Sequence, residues 1–112
     1  MTRKEALAEL IEKVGKGKAP KYTPDYELAL YPIKGMWAAY KAMDAYEGSL
    51  DAAKALHEAV LPGWWWKVIH PDPSYVQVGM PGIGVYAAQS EGPSRAWLLA
   101  ILRALYAQEP DT

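Results

Sequence analysis

The run Leu61-Pro62-Gly63-Trp64-Trp65-Trp66-Lys67-Val68-Ile69 constrains this fold more than any other stretch. Its Pro-Gly step breaks a helix, and the aromatic and β-branched residues that follow favour a strand. Along a strand, alternation sends Trp64, Trp66 and Val68 to one face and Trp65, Lys67 and Ile69 to the other. If the first set faces the two long helices, it packs between Leu56, Val60, Leu98 and Leu105. Trp66→Ala is then expected to cost about 3–5 kcal/mol, as for a core aromatic. The opposite face must have a cover of its own or a partner, because proteins seldom expose contiguous aromatic surface.

Local signals place the remaining elements around this strand. Thr2 caps an N-terminal helix in a capping box with Glu5, and Leu7, Leu10, Ile11 and Val14 form its apolar stripe up to Gly15. Lys16 to Lys21 reads as a basic, solvated linker. Asp25 caps a second helix through Leu30, which Pro32 and Gly35 terminate. Met36, Tyr40 and Met43 recur at helical spacing, so residues 36–46 are expected to be helical. Ser49 caps a fourth helix, with Asp51 in its first turn and Leu50, Ala53, Leu56, Val60 and Leu61 on its apolar side. Strands follow at 64–70, stopped by Pro71-Asp72-Pro73, then at 75–79 and, after a Pro81-Gly82 type II turn, at 85–89. Gly92-Pro93 opens the last helix, with Leu98, Ile101, Leu102 and Leu105 as its core stripe. Glu109 to Thr112 form a flexible tail.

The fold expected is α+β. A three-stranded antiparallel meander is flanked by helices, with an α-β-β-β-α core and additional N-terminal helices, as a layered α/β sandwich. At 112 residues the chain fits a single domain. It divides into an N-terminal helix and basic linker (1–21), a sandwich (22–108) and a tail (109–112).

Three stretches occur in an order and spacing that resemble the phage ABA sandwich domain family, over roughly residues 22–108. They are Tyr46-Glu47-Gly48-Ser49-Leu50-Asp51-Ala52-Ala53, then Leu61-Pro62-Gly63-Trp64 with Trp66, then Arg95-Ala96 through Leu102-Arg103-Ala104-Leu105. The resemblance implies a layered α/β fold and a phage or prophage origin, with no established activity and no site residue to carry over. This chain departs from the family pattern over Met36 to Ala45, where the resemblance implies an irregular or strand-like connection and the residues favour helix.

Composition excludes several classes of function. There is no cysteine, which removes disulfides, thiolate nucleophiles and Cys-based zinc sites. A formal charge of −1 gives no global attraction for nucleic acid or anionic lipid, and no apolar run is long enough to span a bilayer. His57 and His70 lack metal-ligand spacing and read as surface or capping residues. Ser49 and Ser94 sit at helix starts, where capping explains them. Gly79, Gly82 and Gly84 precede a strand rather than a helix, so they read as turn residues and not as a phosphate loop. No catalytic, cofactor-binding or metal-binding set emerges, and the chain reads as a non-enzyme; a site built from Tyr, Asp and Glu is the third reading.

The candidate contact residues are therefore surface groups. Trp65, Lys67 and Tyr75 share the second sheet face with Ile69 and Gln77. The N-terminal helix is expected to cover this face through Leu7, Leu10, Ile11 and Val14; left open, it marks an interface. Arg95, Leu99, Arg103 and Tyr106 fall within one narrow sector of the last helix, opposite its core stripe. The partner expected is a phage or host protein, or a second copy of the chain, met in the host cytoplasm. The alternatives are an inhibitor of host defence or a nucleic-acid-binding accessory, which needs Lys16, Lys18 and Lys21 to converge with Arg95 or Arg103. Helix, three antiparallel strands, helix is also the order of the double-stranded RNA-binding domain. Here the start of the last helix offers only Arg95, after Glu91, which argues against RNA.

Overall fold

A computed structural model describes residues 2–18, 24–69 and 74–110, apart from the side chains of 31–34. Its elements run α1 (Arg3–Gly15), α2 (Pro24–Lys34), α3 (Met36–Tyr46), α4 (Leu50–Val60), β1 (Trp65–Ile69), β2 (Ser74–Met80), β3 (Gly84–Ser90) and α5 (Pro93–Gln108). The strands form one antiparallel sheet in the order β1-β2-β3, so the chain is α+β with the expected meander. His70, the prolines at 71 and 73, and Lys21 lie outside the described residues.

The local start signals act as their chemistry dictates. Thr2 and Glu5 form the reciprocal capping box of α1, and the Ser49 side chain accepts from the Ala52 amide. Gly17, at φ 69°, makes the left-handed turn that ends α1. Residues 36–46 are helical, against the connection implied by the family resemblance, and Ala38, Ala39, Ala42 and Ala45 are buried. These small side chains let α2, α4 and α5 approach α3 closely. Three signals differ from the expectation: Asp25 lies inside the first turn of α2 and pairs with Lys13 rather than capping it, Ser94 is buried within α5, whose cap is Gly92, and α2 continues through Pro32 to Lys34, with Gly35 at φ 63° following. A proline lacks one helical N–H but does not by itself oblige a short helix to end.

Helix α5 lies at the centre. The sheet packs on one side of it through β2 and β3, while α1, α3 and α4 pack on the other, with α2 joining α1 to α3. Its residues 96–102, 104 and 105 are all buried. Ion pairs from Arg3 to Glu109 and from Lys13 to Asp25 fasten α1 to the end of α5 and to α2, and Arg3 Nε donates to the Ala29 carbonyl at 2.9 Å.

Two expectations are corrected. The N-terminal helix does not cover the Trp65 face of the sheet; α1 packs on α2 and α5 instead. The alternation itself holds, with Trp64 buried and Trp66 on the helix side, but Trp66 stands at the open margin of the sheet and is 39% exposed. Its ring rests on His57 and Trp97 at centroid distances of 5.1 and 5.4 Å rather than between two helices. Trp97→Ala, which empties a buried site, should cost about 3–5 kcal/mol in urea unfolding. Trp66→Ala should cost roughly half of that, in proportion to the area it buries; equal losses would place the Trp66 ring in the core.

Candidate interaction surface

Nine residues form the outer face of the sheet, and the strand register sets them in three rows. Trp65, Gly79 and Val85 make the first, Lys67, Gln77 and Ala87 the second, Ile69, Tyr75 and Gln89 the third. Trp65 is 40% exposed, and Lys67, Ile69, Val85 and Gln89 are exposed as well. Glycine at 79 is required here because a Cβ would run into the Trp65 ring, so the indole lies flat across the β2 backbone. Gln77 Nε2 donates to the Tyr75 hydroxyl at 3.2 Å, which ties the middle of the face together. Lys67 is the one charged side chain of the nine, and it makes no ion pair among the described residues. The surface is thus flat and largely apolar, with a single cation in its middle row.

A buried polar network fixes β1 from behind. His57, 1% exposed, donates from Nε2 to the Trp64 carbonyl at 3.0 Å, and Trp97 Nε1 donates to His57 Nδ1 at 3.1 Å. Together these bonds select one neutral tautomer and use both ring nitrogens. The reading of His57 as a surface or capping residue is corrected: it is a core histidine. The signal was present, since His57 follows Ala53 by four residues and precedes Val60 by three, which puts it on the apolar face of α4. Trp64 also packs near Tyr86, at 6.1 Å between ring centroids, and the Lys54 ammonium stands 5.8 Å from the Trp66 ring.

The seven candidate contact residues do not form one site. Trp65, Lys67 and Tyr75 share the outer sheet face. Leu99 is 2% exposed, with its side chain toward Gly15 of α1, so it cannot meet a partner. The sector of α5 that carries Arg95, Leu99, Arg103 and Tyr106 is not a free surface, because α1 lies on it. Arg95 stacks on the Tyr46 ring at 4.0 Å and donates from Nε and Nη2 to the Tyr46 carbonyl, closing the C-terminal end of α3. Arg103 reaches the sheet edge, where Nη1 donates to the Ala87 carbonyl at 2.6 Å. Tyr106 lies beneath the Lys4 ammonium at 4.7 Å. Lys16 pairs with Glu12, so that cation, like Arg95 and Arg103, is directed to another group, while Lys21 of the same expected patch lies outside the described residues. Among the described residues no cluster of His, Asp and Glu could hold a metal ion, and no helix is long and apolar enough to cross a membrane.

Comparison of the chain with family models, curated proteins and solved structures finds no match.

Burial lowers the pKa of His57 below its ordinary value, opposed in part by the bond to the Trp64 carbonyl and by the charge of Glu58. A histidine in the unfolded chain titrates near 6.5. The contribution of His57 to stability is therefore whole above about pH 6.5 and declines as pH falls through that value toward the folded-state pKa. Urea melts between about pH 7.5 and pH 5 should show this decline, and His57→Gln should be less stable at neutral pH with a flatter profile. An unchanged slope in the variant would mean that another group carries the titration.

Proposed function

We propose that this chain is a small, non-enzymatic phage or prophage protein that acts by protein contact, docking a partner on the outer face of its sheet. The observation that carries this reading is the Trp65, Lys67 and Tyr75 face, which no helix covers among the described residues. The three quoted sequence stretches support the phage origin, and the layered α+β architecture is compatible with it. The host cytoplasm is the compartment this reading assigns.

The dimensions of the face indicate the kind of partner. Three strands about 4.8 Å apart, with a rise of about 3.3 Å per residue, make a platform roughly 14 Å wide and 17–23 Å long. That is too small for a stable globular interface of about 800 Å² per side. It suits one helix of about 10 Å diameter and three to four turns. Lys67, midway along the edge strand β1, calls for a carboxylate beside the apolar stripe, so the partner is a protein presenting an acidic amphipathic helix. Seated there, the helix would complete a second helical layer over the sheet.

The test is affinity capture from infected or lysogenic host cells, comparing the wild-type chain with Trp65→Ala and Lys67→Glu at equal folded content. A specific protein retained by wild type should fall at least about tenfold in each variant, as expected for the anchoring residues of a small interface. Equal retention by all three chains would remove this face from the binding site.

A further inference from the structure

The two edges of the sheet are treated differently. At β3, Arg103 takes the Ala87 carbonyl, so an added strand would have to displace a guanidinium. At β1, among the described residues, no side chain bonds to the strand backbone. This open strand also exposes large apolar groups on both faces, Trp65 and Ile69 outward and Trp66 on the helix side. Natural edge strands are ordinarily blunted by charge, proline or a cover, because an open apolar edge pairs with another strand.

We propose that β1 is a homodimer seam, at which two copies of the chain join antiparallel strands into one six-stranded sheet. The sequence of β1 is self-complementary in one register. A two-fold axis perpendicular to the sheet keeps helix-side residues opposite helix-side residues, so it must pass through a residue of the strand. Through Lys67 it would set the two lysines directly opposite one another, which is unfavourable. Through Val68 it would set each Lys67 opposite Ile69 of the second copy, an apolar neighbour for an ammonium. Through Trp66 it sets the two Trp66 rings together on the helix side, and each Lys67 opposite Trp65 of the second copy on the outer side. The last arrangement gives two cation–π pairs by symmetry, the same chemistry that Lys54 makes with Trp66 within one copy. Main-chain bonds along the strand supply the remaining attraction. The seam buries little area and belongs with weak, reversible interfaces. It doubles the width of the outer face and does not depend on what docks there.

The chain has no cysteine, so single substitutions report register directly. In the Trp66 register, residue 66 meets its own counterpart at a Cα separation of about 4.5–5.5 Å, within disulfide range. Residue 69 lies six positions from its counterpart, about 20 Å away. Under mild oxidation Trp66→Cys should form a covalent dimer at least about tenfold faster than Ile69→Cys. Wild-type sedimentation should also show a reversible dimer at submillimolar protein. Both substitutions fall at exposed positions, and circular dichroism checks their fold. Equal crosslinking rates, or a wild-type chain that sediments as a monomer throughout, would overturn the seam. Either result would leave helix docking on the outer face to be judged by its own capture experiment.

Discussion

Helix α5 presents apolar or small side chains around nearly its whole circumference, so it must be surrounded, and its neighbours are arranged by that requirement. The sheet covers one side. On the other side Leu99 faces α1, and Arg95 anchors the end of α3 through Tyr46. A helix that is apolar all round belongs in the middle of a fold, not on its surface. With one side of the sheet and α1, α3 and α4 committed to α5, and α2 to α1 and α3, nothing described in the chain remains to cover the outer side of the sheet. The open face is therefore a consequence of how the centre is filled.

The three tryptophans divide accordingly. Trp64 is core and supplies the carbonyl that fixes His57. Trp66 lies at the margin, half-packed on His57 and Trp97 and half-available at the edge of the sheet. Trp65 lies over Gly79 and, with Ile69 and Val85, provides the exposed apolar area of the outer face. The buried His57 network explains how a short edge strand with so much exposed aromatic surface is held in one position: the chain entering β1 is bonded to α4, which is bonded in turn to α5.

Features determined by neighbours in sequence were legible from residues alone. The Thr2 and Glu5 box, the Ser49 cap, the Pro81-Gly82 turn and the proline at the first position of α5 each act within a few residues, and each stands where its chemistry indicates. What packs on what was less legible. The stripe of Leu7, Leu10 and Val14 requires that α1 be buried, but the uncovered sheet face and the second side of α5 both offered it apolar surface. The choice turned on Leu99, which lies among Arg95, Arg103 and Tyr106 and so looks solvated. Those three polar or amphipathic residues keep their heads at the rim, on Tyr46, Ala87 and Lys4, while their helix runs through the core. His57 hid for a related reason: a polar type at an apolar position has a meaning only once its two partners, 7 and 40 residues away, are known.

Helix α1 belongs to the core around α5 and leaves the Trp65 face of the sheet in solvent. Solvent paramagnetic relaxation of the five tryptophan indole N–H signals, recorded with a soluble gadolinium chelate, tests this arrangement most directly. The Trp65 signal should broaden strongly while Trp64 and Trp97 stay sharp. A Trp65 signal as protected as that of Trp97 would contradict the account, because some part of the chain would then be covering the outer face.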